Sequence, residues 1–163
     1  MGKANGSLDF SIVCLDLKIL ASVKEAHLGT ILDIFEYETF LYSLGADHRI
    51  AKISKRKWKV IQYFNVSITP SVSKYSFTNP PCKIAKLKDQ RLRNVCFLMD
   101  ASQGRVWMFD EISQLEKDLF KVNVHCKGGV ITDMIAHQKS QSLLLTVSEK
   151  MYPEVLQIFP LKN

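Results

Sequence analysis

The sequence predicts an all-β fold made of a repeated unit, and three observations support that prediction. First, two stretches about 100 residues apart share a glycine, an isoleucine and an aspartate at the same spacing. The matched pairs are Gly29 with Gly129, Ile31 with Ile131 and Asp33 with Asp133. Second, the apolar runs are short, rich in β-branched and aromatic residues, and closed by polar or turn residues, which is typical of strands. Third, helical periodicity is weak along the whole chain.

The spacing of the repeat limits the architectures that the chain is expected to adopt. An offset of about 100 residues leaves room for one further copy, so the period is about 50 residues. Periods of roughly 40–50 residues are found in propeller blades and solenoids. A repeated β unit builds an extended surface, so we expect binding rather than chemistry.

The predicted strands follow one another from the N-terminus, and their near-continuous apolar character indicates sheets packed on both faces. They are Phe10 to Asp16, a short run at Ile31, Ile34 and Phe35, then Phe40 to Leu44, Val95 to Met99, Leu143 to Val147 and Val155 to Phe159. The stretch from Asn65 to Pro81 holds three prolines, which cannot donate to a ladder, so part of it is a loop or an edge. Within it, Val72, Tyr75 and Phe77 can form one inner strand. Residues Gln114 to Phe120 fit one helical turn or a connecting loop equally well.

Residues Ser43 to Ile53 combine a serine, an aspartate four residues later and an apolar strand. This pattern resembles the WD-repeat β-propeller family, whose strand typically ends in Trp-Asp. Ser43, Asp47 and Ile50 match the pattern, and Ile53 stands where the tryptophan would be. Further matches extend the resemblance along the chain. They are Ala26-His27 at the family's Gly-His position, Phe109-Asp110 at its Trp-Asp position, and Val155 to Phe159 in a third unit.

The resemblance implies a structural role for three polar residues. In the family, histidine, serine or threonine, aspartate and tryptophan form a side-chain hydrogen-bond relay that ties neighbouring strands of one blade. Here His27, Ser43 and Asp47 supply three members, and we expect them to lie close together at one edge of a blade. Ile53 cannot donate the fourth bond. An ordinary surface-loop histidine is the alternative interpretation of His27.

The resemblance also implies the domain organisation. We expect residues 1–163 to form a single partial propeller of about three four-stranded antiparallel blades, at about residues 17–54, 57–110 and 117–160. Residues 10–16 resemble a remnant strand of a preceding blade. Propellers close with about four to eight blades, so three blades leave an open arc. Such an arc is a piece of a larger propeller, a truncated product, or a propeller that a partner completes.

Positive charge is the feature of the composition that bears on binding. The chain carries 22 lysines and arginines against 16 acidic residues, a formal net charge of +6. A first cluster, a candidate binding site for an anionic partner, is Lys52, Lys55, Arg56, Lys57, Trp58 and Lys59. A second cluster is Lys83, Lys86, Lys88, Arg91 and Arg93. Such clusters attract nucleic acid, acidic protein surfaces or anionic lipid, and an aromatic ring among the cations can stack on a base. A solvated loop with Trp58 packed between blades is the alternative interpretation.

The sequence contains no recognisable catalytic, cofactor-binding or metal-binding motif. It has no Gly-x-Ser-x-Gly, no phosphate-binding glycine-rich loop and no His-Glu-x-x-His, and its four cysteines form no Cys-x-x-Cys pair. We therefore expect a non-enzymatic protein–protein interaction scaffold without cofactor or metal, whose partners are other proteins of a larger assembly. A basic nucleic-acid-associated RNA-processing factor and a ciliary or cytoskeletal scaffold are the alternatives.

Cysteine placement and hydropathy bear on the cellular location. No signal-peptide pattern is seen, and Cys14 and Cys96 lie in apolar runs, so we expect buried, reduced thiols in an intracellular protein. The expected compartment is cytoplasmic or cytoskeletal, with the nucleus as an alternative. No apolar run approaches the roughly 20 residues of a membrane helix, so no membrane insertion is expected.

Overall fold

A computed structural model describes residues 6–12, 18–66, 81–101, 104–121, 130–148 and 153–158. Across these residues the chain consists of thirteen strands and one short 3-10 turn at Gln90–Leu92. All of the strand pairs among them are antiparallel. The predicted all-β fold with small antiparallel sheets is therefore confirmed. The chain divides into two compact units, Met1–Pro80 and Pro81–Asn163.

The first unit contains six described strands. They are β1 (Leu8–Ile12), β2 (Lys18–Val23), β3 (Ile31–Tyr37), β4 (Phe40–Gly45), β5 (Arg49–Ser54) and β6 (Lys59–Asn65). Strands β1 and β2 form an antiparallel pair. Strands β3 to β6 form a four-stranded sheet in chain order, which is called the first sheet below.

An apolar cluster joins the β1–β2 pair to the first sheet. Its buried members are Leu8, Val23, Ala26, Leu41 and Ile53. The partly buried side chains that pack against them are Ile31, Ile34, Trp58 and Val60. Each large aliphatic side chain that leaves water contributes roughly 1.5–3 kcal/mol, so this cluster is the main force holding the pair against the sheet.

The second unit contains seven described strands. They are β7 (Lys83–Ala85), β8 (Val95–Asp100), β9 (Arg105–Asp110), β10 (Glu116–Lys121), β11 (Val130–His137), β12 (Ser142–Ser148) and β13 (Pro153–Ile158). Strands β7 to β10 form the four-stranded second sheet, and β11 to β13 form a three-stranded third sheet. Gln138 joins these two sheets, since its side-chain amide donates to the Lys86 carbonyl at 2.8 Å and its oxygen accepts from the Lys88 N–H at 2.7 Å.

The repeat seen in the sequence corresponds to one position in the fold. The register of β3 shifts between Ile31 and Asp33, and that of β11 shifts between Ile131 and Asp133. Both shifts mark a β-bulge near the start of the first strand of a sheet. A bulge bends the strand and increases its twist, so the matched isoleucines and aspartates mark the same bend in the two sheets.

The strand pairing corrects two expected blade boundaries. Strand β6 pairs with β5 and belongs to the first sheet, although residues from 57 onward were expected in the next blade. Strand β10 pairs with β9 and belongs to the second sheet, although residues from 117 onward were expected in the third. The expectation of a helical turn or a loop at Gln114 to Phe120 is wrong from Glu116 onward, because Glu116–Lys121 is a strand, whereas Gln114 and Leu115 lie in the connection before it. Both β6 and β10 lie at the edge of their sheets.

Some expectations concern residues outside the described part of the chain. These are the inner strand at Val72, Tyr75 and Phe77, the end of the remnant strand at residues 13–16, and the thiol of Cys14. Among the described residues, no helix is long and apolar enough to cross a membrane.

Candidate functional site

Three side chains of the first unit form a hydrogen-bonded relay. His27 lies in the segment between β2 and β3, Ser43 lies in β4, and Asp47 lies in the turn between β4 and β5. The His27 Nδ1 is 3.0 Å from the Asp47 Oδ1, and the His27 Nε2 is 2.8 Å from the Ser43 Oγ. Because an ionised carboxylate only accepts, Nδ1 carries a proton, and in the neutral ring Nε2 is then the acceptor for the Ser43 hydroxyl. The structure thus brings all three sequence-predicted relay residues together.

Asp47 is the centre of this relay. Its Oδ2 accepts from the Leu28 main-chain N–H at 2.9 Å and from the Arg49 guanidinium at 2.9 Å through Nε and 2.7 Å through Nη2. Burial alone raises the pKa of Asp47, but the Leu28 N–H, the Arg49 guanidinium and His27 together outweigh it and lower that pKa to about 2. The carboxylate is therefore ionised at neutral pH and holds three chain segments together.

Two glycines make room for the relay. A Cβ on Gly45 would stand 2.2 Å from the His27 Nδ1 and 2.4 Å from the Asp47 Oδ1, so any larger residue would displace the pair. A Cβ on Gly6 would stand 1.9 Å from the His27 carbonyl oxygen. Gly6 also has a φ of +78° and accepts from the His27 N–H at 3.2 Å, which ties the start of β1 to the relay.

Ser43, His27 and Asp47 are connected in the same order as the serine, histidine and aspartate of a hydrolytic triad. Their burial favours a structural role. The Ser43 residue is 0% exposed and His27 is 2% exposed, so no substrate carbonyl reaches the hydroxyl from solvent. A closed, fully paired polar network of this kind sets strand register. Ile53 occupies the position of the fourth relay member and is buried in the apolar cluster of the first unit.

The first basic cluster separates into two groups in the structure. The Lys52 ammonium lies 4.8 Å from the centre of the Phe40 ring, and Lys55 pairs with Glu36. Trp58 is partly buried and packs against the apolar cluster, in agreement with the alternative interpretation of this run as a solvated loop with a packed tryptophan. The other three cations of the cluster, Arg56, Lys57 and Lys59, are exposed. We call these three residues the basic turn.

The second basic cluster is largely engaged in ion pairs. Lys83 pairs with Asp133 at 3.2 Å. Arg91 pairs with Asp89 at 2.7 Å. Lys86, which is 0% exposed, pairs with Glu111. The exposed members are Lys88, Arg91 and Arg93. Internal pairing removes much of the positive field that a phosphate backbone would meet.

The Lys86–Glu111 ion pair was not predicted from the sequence. Its residues lie 25 positions apart, and Cys96 lies beside both, with its sulfur 3.8 Å from the Lys86 Nζ and 3.7 Å from the Glu111 Oε1. The sequence contains one indication that Lys86 is buried, namely its position between the apolar residues Ala85 and Leu87. It gives no indication of the partner. Cys96 is 0% exposed, so its predicted burial is confirmed.

Comparisons with known proteins show the fold alone. No protein-family model matches the chain, and no curated protein matches it in sequence. A chain of the crystal structure of the mitotic checkpoint complex superposes on it with a TM-score of 0.58 at 10% sequence identity. The match covers 99% of this chain and 48% of that chain, so this chain spans about half the length of that neighbour.

Proposed function

We propose that the chain is a segment of a WD-repeat-like β-propeller that acts as a non-enzymatic, intracellular scaffold for other proteins. The observation that carries the proposal is the relay of His27, Ser43 and Asp47. It connects neighbouring strands of one four-stranded antiparallel sheet, as the relay of that family does within one blade. A satisfied buried polar network of this kind specifies one strand register.

Two further observations support a scaffold role. The described strands form small antiparallel sheets that follow one another in chain order, as the units of a repeat protein do. The structural neighbour comes from a protein complex, which is compatible with protein partners. The nucleic-acid alternative has less support, because Trp58 packs in a core and many cations of both clusters have internal partners.

The basic turn is the part of the first cluster that remains suited to an anionic protein surface. Arg56 and Lys57 lie in the tight turn after β5, and Lys59 begins β6. All three are exposed. Attraction between exposed charges is screened over about 8 Å at physiological ionic strength, so binding through this turn is expected to weaken as salt rises.

The test is affinity purification followed by rebinding of each recovered protein in pure form, with and without nuclease. We expect at least one acidic protein to bind directly, with nuclease making no difference and salt weakening the complex. The triple variant R56E/K57E/K59E should abolish that binding while thermal stability changes little, since exposed substitutions usually stay within about 0.5 kcal/mol. Binding that disappears with nuclease would instead support the nucleic-acid alternative.

A matched control reverses the same number of charges elsewhere. Lys24, Lys88 and Lys139 are exposed, and K24E/K88E/K139E changes the net charge equally. This variant should retain binding. Trp58→Ala should lower stability, by less than the roughly 3–5 kcal/mol of a fully buried tryptophan, and leave the affinity of the folded protein unchanged. Loss of binding in both triple variants would show that net charge, not the basic turn, is recognised.

A further inference from the structure

The turn between β9 and β10 presents two large aliphatic side chains to water. Ile112 is 75% exposed and Leu115 is 70% exposed. Single exposed aliphatic residues are ordinary on protein surfaces, whereas two in one turn form a small apolar patch. Covering them would contribute roughly 25 cal/mol for each Å² of apolar surface removed from water.

Hydrogen bonds hold this turn in one shape. The Asp110 Oδ1 accepts from the N–H of Ile112 at 2.9 Å and from the N–H of Ser113 at 2.8 Å. The Asp110 N–H donates to the Leu115 carbonyl at 3.0 Å, and the Gln114 N–H donates to the Asp110 carbonyl at 2.9 Å. A turn that is ordered before binding loses little conformational entropy when a partner covers it.

The base of the turn is anchored in the second sheet. Glu111 is 7% exposed, and its carboxylate pairs with the buried ammonium of Lys86. Its main-chain N–H donates to the Asn94 carbonyl at 2.7 Å. The turn that carries Ile112 and Leu115 is therefore fixed to the second sheet. It cannot fold inward to bury these two side chains without breaking the buried Lys86–Glu111 ion pair.

Three carboxylates lie in or beside the turn, but the fully exposed charged residues there are cations. The carboxylates of Asp110 and Glu111 are engaged within the protein, one by the turn and one by Lys86, and the Oε1 of Glu116 is buried. Arg93, next to Asn94, and Lys117, two residues after Leu115, are exposed. A partner that covers the two aliphatic side chains consequently meets positive charge at the rim.

We propose that Ile112 and Leu115, with Arg93 and Lys117 beside them, form a docking surface for an acidic peptide segment of a partner protein. That segment carries at least one aliphatic or aromatic side chain for the two exposed residues and carboxylates for the two cations. The inference goes beyond the proposed function, because it depends neither on the propeller assignment nor on the basic turn.

The experiment uses a random peptide library displayed on phage and panned on the immobilised full chain. We expect the enriched peptides to combine aspartate or glutamate with aliphatic or aromatic residues. The Kd of a synthetic peptide of the enriched type is then measured by fluorescence anisotropy. The double variant I112S/L115S should raise that Kd at least about tenfold, and R93E should raise it several-fold.

Two controls separate docking from folding. Ile135 is 57% exposed on β11, so Ile135→Ser removes one exposed aliphatic residue elsewhere in the same unit and should leave the Kd unchanged. Asp110→Ala removes the acceptor that shapes the turn and should weaken binding, whereas Asp110→Asn keeps an oxygen there and should restore most of it. Thermal unfolding of every variant checks that the unit stays folded.

Three results would overturn the inference. They are the absence of any enriched peptide, enrichment of peptides without acidic residues, and unchanged affinity of the enriched peptide for folded I112S/L115S.

Discussion

The two four-stranded sheets carry an ion pair at the same position, with the charges exchanged and the environments opposite. In the first sheet, Glu36 of β3 pairs with Lys55, which follows β5 directly. In the second sheet, Lys86 follows β7 and pairs with Glu111, which follows β9 directly. The side chains of Lys55 and Glu36 are 29% and 66% exposed, whereas those of Lys86 and Glu111 are 0% and 5% exposed.

The register supports this equivalence. Glu36 stands opposite Leu41, the second residue of β4. Lys86 lies beside Cys96, the second residue of β8, with 3.8 Å between nitrogen and sulfur. The two pairs therefore close the same end of their sheets.

At the other end of the sheets, the relay sets the first sheet apart. Ser43 is the fourth residue of β4, and the fourth residue of β8 is the fully buried Leu98. Gly45 is the last residue of β4, and its counterpart in β8 is Asp100. One sheet thus places its buried polar network at the turn between its second and third strands, and the other places a buried ion pair at the opposite end. Repeated units can therefore share one backbone arrangement and differ in where buried polar bonds fix the strand register.

The largest effect is expected for the buried pair. Lys86→Met leaves the Glu111 carboxylate buried without its cation, which typically destabilises by about 3–5 kcal/mol. Urea unfolding followed by the fluorescence of Trp107, in a Trp58→Phe background, measures the second unit.

The double variant K86M/E111L is the control for that prediction. It replaces both charges by apolar groups, and such replacements are often neutral or stabilising, so most of the loss should be recovered. A single variant that loses less than about 1 kcal/mol would contradict the burial of this pair.

The relay is expected to contribute less, because the Arg49 side chain that pairs with Asp47 is 26% exposed and water can solvate it after the carboxylate is removed. Asp47→Ala removes the acceptor for His27, Leu28 and Arg49 and should destabilise the first unit by roughly 1–3 kcal/mol. Gly45→Ala should also destabilise it, since the new Cβ collides with the His27–Asp47 pair.

Gly29→Ala is the matched control, because a Cβ there meets nothing within 4 Å. It should leave the unfolding midpoint nearly unchanged. Equal effects of the two glycine substitutions would show that the close packing around Gly45 is not what stabilises the relay.

Acid should remove the contribution of Asp47 over a defined pH range. The pKa of Asp47 is about 2 in the folded chain and about 3.9 in an unfolded one, so the carboxylate stabilises fully above about pH 4. That stability is at most about 2.6 kcal/mol, reduced by solvent screening of the partly exposed carboxylate, and it is lost as the pH falls through 2. Urea midpoints of the wild type and Asp47→Asn should converge over this range, and a constant gap between them would contradict the prediction.

The sequence predicted the strands whose side chains are apolar on both faces. Leu143 to Val147 and Val95 to Met99 fall inside β12 and β8, because continuous apolar runs reflect burial that the sheets impose. Strand β6 exposes Ile61 and Tyr63 at the edge of its sheet, and its place in the first sheet is set by its pairing with β5, which the spacing of the repeat does not show, so the blade boundary was placed too early.

The candidate site was predictable only where a spaced motif exists. His27, Ser43 and Asp47 lie in a pattern that the resemblance makes recognisable. Lys86 and Glu111 follow no known spacing, and their pairing depends on which strands become neighbours. Arg56 is exposed and Trp58, two residues later in the same basic run, is partly buried, because Trp58 packs against the apolar cluster. Composition does not predict this difference.

The smallest effect is expected for the exposed pair of the first sheet, and it tests the comparison most directly. Lys55→Met makes the same chemical change as Lys86→Met at the equivalent end of the other sheet. Because Glu36 is 66% exposed, water solvates its carboxylate once the ammonium is gone, and the loss should stay below about 1 kcal/mol. The main-chain bond from the Lys55 N–H to the Thr39 carbonyl, at 3.0 Å, is retained in the variant. Salt should shrink the small difference further, since exposed charges are screened, while the loss in Lys86→Met should be nearly independent of salt. Urea unfolding at low and high salt measures both, and comparable losses from the two substitutions would show that burial does not distinguish the pairs.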